Sequence, residues 1–177
     1  MILGQLVMVM LMVITSLFMH DHDHPLTAIS FVISSHTVGM YAFSILSGRL
    51  TDRLGRGPVI AIGAGTLVIA SMLARVSPEV APLAIALFLL GLGWNFCYVG
   101  GSSLLADQLA PAERARIQGV NDLLIGLVSA LGSLGSGLVF ASVGYPTMGL
   151  VGAVASLALL LAASRWLRVQ PRTAPAG

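Results

Sequence analysis

The feature that most constrains this chain is a series of long apolar segments joined by short polar ones. Each segment is long enough to cross the hydrocarbon core of a bilayer, which takes about 20 residues of helix. Charged residues make up 9% of the chain, whereas a soluble domain has about a quarter. Only helices satisfy all their backbone hydrogen bonds within one such segment. The sequence therefore predicts an all-α integral membrane protein with six transmembrane helices, at residues 2–19, 26–47, 58–74, 82–105, 116–141 and 146–166.

The composition also excludes several kinds of function. The chain has no lysine, so its nine cationic side chains are all arginines and its basic character gives no reason to expect a nucleic-acid partner. A single cysteine, Cys97, lies within an apolar segment and cannot form an internal disulfide. We find no phosphate-binding loop, nucleophile triad or paired acid and base. The sequence therefore predicts no enzymatic activity and no cofactor.

The distribution of arginines predicts the orientation in the membrane. With six spans, eight arginines fall on one side and Arg75 alone falls on the other. Because Lys and Arg next to spans favour the cytoplasm, the sequence predicts a multi-pass protein of the inner membrane with both termini cytoplasmic. The eight are Arg49, Arg53, Arg56, Arg114, Arg116, Arg165, Arg168 and Arg172.

A short charged segment, Gly48–Gly57, lies between the second and third predicted spans. Its pattern Gly-x-Leu-x-Asp-Arg-x-Gly-Arg resembles the signature loop of the major facilitator superfamily of secondary transporters. Gly57 departs from that pattern, since the family usually has a second basic residue there. The alternative interpretation is an ordinary cytoplasmic turn. The matching residues are Gly48, Leu50, Asp52, Arg53, Gly55 and Arg56.

The resemblance implies a fold and a function. A six-helix half of such a transporter consists of two inverted three-helix repeats, and Ser47, Gly48 and Gly55 recur at one offset as Ser136, Gly137 and Gly144. The fourth and fifth spans lack the arginine and the Gly-Pro motif of first halves. We therefore expect residues 1–168 to be the C-terminal half and residues 169–177 to be a disordered cytoplasmic tail.

Such a half would transport a small solute by alternating access, rocking in the lipid bilayer against an N-terminal half or a second copy. A six-helix membrane protein that keeps the fold without transporting, with a structural or regulatory role, is the alternative. In the family's arrangement, the first and fourth helices of a half line the cavity, the second and fifth face the other half, and the third and sixth face lipid.

Three polar or aromatic residues near the middle of the fourth span are candidates for the solute cavity. The resemblance implies that Asn95 and Tyr98 contact a solute and that Trp94 forms an aromatic wall or packs at an interface. An amide at this depth is costly unless it has a partner or faces water. The alternative is therefore that Asn95 binds a neighbouring helix.

Other ionisable residues are candidates for coupling or gating. His36 and Asp122 lie within the second and fifth spans, where they could couple protons; the alternatives are packing for His36 and pairing with basic residues of the other half for Asp122. The acidic and basic side chains after the fourth span could form a cytoplasmic gate with the signature segment; the alternative is an ordinary solvated charge cluster. They are Asp107, Glu113, Arg114 and Arg116.

Alternating histidines and aspartates follow the first span. In an extended strand, His20, His22 and His24 would point the same way, and histidine is a common metal ligand. A short external turn ended by Pro25 needs polar residues in any case. We therefore expect no metal site and keep the three histidines as weak candidates.

Overall fold

Helices make up nearly all of the computed structural model, which describes residues 1–169 and shows no strand within that range. The predicted tail lies outside these residues, except that Val169 ends the last helix. Five helical stretches are long and apolar enough to cross a membrane, with α2 and α3 counted as one stretch. The helices are α1 (Ile2–Asp21), α2 (Leu26–Tyr41), α3 (Ser44–Leu54), α4 (Arg56–Leu73), α5 (Val80–Asp107) and α6 (Pro111–Val169).

Two departures from the predicted spans concern where helices are interrupted. The second span, 26–47, is broken at Ala42 and Phe43, so that α2 and α3 are separate helices. The fifth and sixth spans form one helical run, α6, in which Gly144 has the non-helical angles φ 74° and ψ 172°. A backbone with these angles is open almost only to glycine. The chain therefore changes direction at Gly144, between the two predicted spans.

The charged segment is not the continuous turn that its glycines suggested. Residues 48–54 belong to α3, and the reversal falls on Gly55, which has a φ of 91°. Arginine and leucine favour helices, so the helix extends past the apolar residues to its last polar turn. The same holds at the other predicted loop, because α6 begins at Pro111 and includes Glu113, Arg114 and Arg116. Proline is well suited to a first helical position.

Helix α5 lies at the centre of the bundle, with α2 on one side and α4 on the other, while α1 and α4 both pack on α6. Glycines allow the backbones to approach closely where α5 meets its neighbours. A Cβ atom on Gly39 would lie 2.2 Å from the Phe88 carbonyl oxygen, and one on Gly91 would lie 2.3 Å from the His36 carbonyl oxygen. The α2–α5 contact therefore has no room for a larger residue at either position.

This packing predicts unequal effects of two Gly-to-Ala substitutions. Gly39→Ala should destabilise the protein by about 1–3 kcal/mol, the usual cost of overpacking a core. Gly126→Ala, at a helical position with no neighbour within 4 Å, should be neutral or stabilising, by up to about 1 kcal/mol through helix propensity. Thermal stability of the two variants in detergent, measured by loss of the monodisperse size-exclusion peak, checks this. Equal midpoints would contradict the close α2–α5 contact.

Candidate functional site

The side chain of Asn95, on α5, reaches the break that separates α2 from α3. Its Nδ2 donates to the Met40 carbonyl oxygen over 2.7 Å and to Ser44 Oγ over 3.0 Å. Its Oδ1 accepts a hydrogen bond from Ser47 Oγ. The side chain is only 2% exposed. Asn95 is therefore bonded to both ends of a helix break, the arrangement that the packing alternative described.

Trp94, next to Asn95 on α5, is hydrogen-bonded to a different helix, α1. Its Nε1 donates to Gln5 Oε1 of α1 over 2.6 Å, and Gln5 Nε2 donates to Ser129 Oγ of α6 over 2.7 Å. The Tyr98 ring stacks on the indole with centroids 4.9 Å apart and planes 20° apart. The Tyr41 ring of α2 meets the indole edge-on, with centroids 6.4 Å apart. These rings and the Gln5 amide bring α1, α2, α5 and α6 together at one place.

The three rings differ in how much of their surface this chain covers. Trp94 is buried, Tyr98 is partly buried and Tyr41 is 61% exposed. The two tyrosines can therefore contact a molecule next to the bundle, whereas the indole lies behind them. Of the three predicted cavity residues, Tyr98 alone has appreciable exposed surface.

The signature segment brings charges from three helices together. Arg56 Nε, at the start of α4, donates to Asp107 Oδ2, at the end of α5, over 2.7 Å. Arg56 Nη1 lies 3.9 Å from Asp52 Oδ1 of α3. Both carboxylates are exposed, so each pair adds little to stability. These pairs link the end of α3 to the start of α4 and the end of α5.

Asp52 is the second acidic partner of Arg56, and the remaining charged residues of the predicted gate form no ion pair among the described residues. Arg114 Nε donates to the Leu109 carbonyl oxygen over 3.3 Å, and Glu113 and Arg116 are exposed on the first turns of α6. Asp52 and Arg53 are exposed on α3, where Gly48 has no neighbour within 4 Å of a built Cβ and Leu50 is partly buried. The acidic and basic side chains here are therefore available to a partner surface.

The two candidates for proton coupling have different environments. His36 is 1% exposed, and its Nδ1 donates to the Leu87 carbonyl oxygen over 3.0 Å, whereas Nε2 has no partner among the described residues. Asp122 is exposed, and its Oδ1 accepts from Gln118 Nε2 over 3.1 Å and from Asn121 Nδ2 over 3.3 Å. Within residues 1–169, the hydrogen-bond partners of Asp122 are therefore neutral and contact one of its two carboxylate oxygens.

The histidine segment is helical in part and does not form an extended strand. His20 belongs to the last turn of α1, His22 Nδ1 donates to the Phe18 carbonyl oxygen over 2.8 Å, and His24 Nε2 donates to the Pro78 carbonyl oxygen over 2.9 Å. Residues 1–169 contain no group of three His, Cys, Asp or Glu side chains that could hold a metal ion. The His22 and His24 rings here bond the backbone at the end of α1 and at the loop before α5.

Sequence reasoning missed Gln5, which connects α5 to α6. A signal for it was present, because Gln5 is an amide inside the first apolar span, and buried amides need partners. The contacts of Ser44 and Ser47 with Asn95 depend on how α2, α3 and α5 pack. A one-dimensional pattern does not contain that information.

The bonds of Asn95 predict a stability effect that Tyr98 does not share. Asn95→Ala leaves the Met40 carbonyl and two serine hydroxyls without this partner, which should cost about 1–3 kcal/mol. Tyr98→Phe keeps the stacked ring and should change stability by less than about 0.5 kcal/mol. Thermal unfolding of both variants in detergent measures the difference. If Asn95→Ala were as stable as the parent, the amide would not be holding the helix break.

Comparison with known proteins identifies the family. Residues 1–177 match the model of the Major Facilitator Superfamily. The MFS-type transporters YdeG and YddS of Bacillus subtilis (strain 168) are 41% and 39% identical over 162 residues, which is 90% of this chain and 38% and 37% of theirs. The riboflavin transporter RfnT of Brucella anthropi is 30% identical over 170 residues, 96% of this chain and 42% of its own. The chain thus spans about two fifths of the length of these relatives. It belongs to the major facilitator superfamily of membrane transporters.

Proposed function

We propose that this chain is the C-terminal six-helix half of a secondary transporter and moves a small solute across the inner membrane by alternating access. The observation that carries the proposal is a face of α2 and α5 on which Tyr41 is 61% exposed and Tyr98 is partly exposed. Tyr41 and Tyr98 face outward there, supported by Trp94 and Gln5. Such a face is half of a cavity, and an N-terminal half or a second copy would complete it.

A stripe of exposed leucines supports a partner beside this face. These side chains follow the first part of α6 at intervals of three or four residues, so they lie on one side of the helix. In the family's arrangement, this fifth span faces the other half, and lipid covers the third and sixth. The stripe consists of Leu123, Leu127, Leu131, Leu134 and Leu138, each at least 51% exposed.

The backbone supports two inverted three-helix repeats. Gly55 has φ 91° and ψ 162°, and Gly144 has φ 74° and ψ 172°, so the residues that matched in the sequence share a conformation almost restricted to glycine. Gly55 follows the second predicted span and Gly144 follows the fifth. The helix pairing is consistent with this, because α5 packs on α2 and α4 while α1 packs on α6.

Each group of residues has a role in this proposal. Tyr98 contacts the solute, while Trp94 and Asn95 hold the walls of the cavity. The ion pair of Arg56 and Asp107 forms the cytoplasmic gate with Asp52 and with charges at the start of α6. His36 and Asp122 are the candidates for proton coupling. The solute is unassigned, and riboflavin belongs in any test panel because RfnT is a riboflavin transporter.

Transport is tested with the full-length protein that contains this chain, in everted membrane vesicles. In vesicles that contain the parent protein, a transported solute from the panel should accumulate or should collapse an imposed proton gradient. Asp52→Asn should slow transport about two- to five-fold, because in the family's arrangement this carboxylate lies near a helix N-terminus of the other half, where it gains about 0.3–1 kcal/mol. Glu79→Gln, an exposed carboxylate outside the gate, is the matched control. Normal membrane levels without transport of any solute would favour the non-transporting alternative.

Orientation is tested separately with topology reporters. The arginine distribution predicts that a fusion after Gly177 reports the cytoplasm and that an insertion at Asp23 reports the outside. Alkaline phosphatase and green fluorescent protein at the two positions give opposite signals in the two compartments. Phosphatase activity at Gly177 together with fluorescence at Asp23 would reverse the proposed orientation.

A further inference from the structure

The side chain of Gln5 joins three helices through a directed chain of hydrogen bonds. An indole N–H can only donate, so the Gln5 carbonyl oxygen must face Trp94 and its amide nitrogen must face α6. There it donates to Ser129 Oγ, which in turn donates to the Ile125 carbonyl oxygen over 2.8 Å. Gln5 itself is 8% exposed. The orientation of the amide is therefore determined at both ends.

This chain of bonds fixes the ring on which two tyrosines rest. Trp94 lies behind Tyr98, which stacks on it, and beside Tyr41, which meets its edge. Because the indole is nearly covered and cannot donate elsewhere while bound to Gln5, its plane sets the position of the Tyr98 ring. The surface that remains open belongs to the two phenols, on α5 and α2.

We propose that Gln5 is a positioning residue of the solute site, acting through Trp94, and that Tyr98 and Tyr41 contact a solute that carries a planar aromatic ring. This rests on the proposed transport function. Aromatic side chains favour offset-stacked or edge-to-face partners at defined distances. Two phenols held on one indole offer a face and an edge to such a ring, and their hydroxyls can bond its polar substituents.

A spectroscopic test addresses the positioning without any transport. The chain has two tryptophans, so Trp166→Phe leaves Trp94 as the sole reporter in this chain. The whole 177-residue chain, purified in detergent, is the sample. In that background, Gln5→Met keeps the side-chain length and removes both hydrogen bonds. The Trp94 emission maximum should move to shorter wavelength as the indole loses its polar partner.

The matched control is a second hydrogen bond between α1 and α6. Thr15 and Tyr145 are bonded over 2.7 Å and both are buried, near the opposite end of α1. Thr15→Val should lower thermal stability and leave the Trp94 emission unchanged. An unchanged spectrum in Gln5→Met, or the same shift in Thr15→Val, would overturn the positioning role.

Transport kinetics of the full-length protein then distinguish a positioning role of Gln5 from a general loss of packing. Gln5→Met and Trp94→Phe should each raise the KM of an aromatic solute about five-fold or more, and the double variant should equal either one, since contacting residues are non-additive. Thr15→Val should leave the KM unchanged. Additive effects of the two substitutions would show that Gln5 does not act through Trp94.

The solute class is tested with a pair of neutral amides of similar size. Naphthalene-2-carboxamide should bind the purified full-length protein in equilibrium dialysis more tightly than decahydronaphthalene-2-carboxamide does, and Tyr98→Leu and Tyr41→Leu should each abolish the preference. Equal binding of the two amides, or a preference that survives both substitutions, would overturn the aromatic class. Absence of transport for every solute in the parent counts against the proposed function instead, and the Trp94 spectra still decide the role of Gln5.

Discussion

Close contact between α2 and α5 is the interaction on which the rest of the structure depends. Gly39 and Gly91 bring the two backbones together, and side chains of one helix can then reach carbonyl groups of the other. Ser35 donates to the Ala84 carbonyl oxygen, His36 to that of Leu87 and Asn95 to that of Met40. In hydrocarbon no water replaces these bonds, so they fix the rotation of α5 about its axis. That rotation directs Asn95 toward α2 and Trp94 toward α1.

The pairing of α1 with α6 is looser, although the proposed repeat makes it the counterpart of α2 with α5. A crevice of about 370 Å³ lies between the two helices, next to Gly132 and Gly135. Hydrogen bonds join them near the two ends, from Gln5 to Ser129 and between Thr15 and Tyr145. Packing that leaves such a gap forgoes dispersion contacts along its lining. The bundle thus combines a tightly packed centre with a less constrained α6, the helix that carries the stripe of exposed leucines.

Length and composition were enough to predict the helical class. Six spans were predicted, and the described residues contain five helical stretches long and apolar enough to cross a membrane, because the fifth and sixth predicted spans form one run. The sequence did not predict the break at Ala42 and Phe43, since neither glycine nor proline lies there. Breaks of that kind depend on neighbours, and here Asn95 from a distant part of the chain bonds both sides of the gap. The hydrogen bond that holds Trp94 was unpredictable for the same reason, because its partner Gln5 is far away in the sequence. The helical structure of each segment could thus be predicted from its own residues. The contacts of the candidate site could not, because they join segments that are far apart in the sequence.

Gly57 shows how one departure from a family pattern can be explained by packing. A Cβ atom there would lie 2.5 Å from Trp166 Cζ3 and 2.5 Å from Leu167 Cδ2, so the basic side chain usual at this position would require both side chains to shift. Trp166 packs against the first turn of α4. The end of α6 is thereby held on the signature segment by apolar contact. Arg56 then supplies the charge that binds α5, through Asp107. Trp166 therefore occupies the space beside Gly57 where the family usually has a second basic side chain. The signature segment contacts α6 through Trp166 and α5 through Arg56.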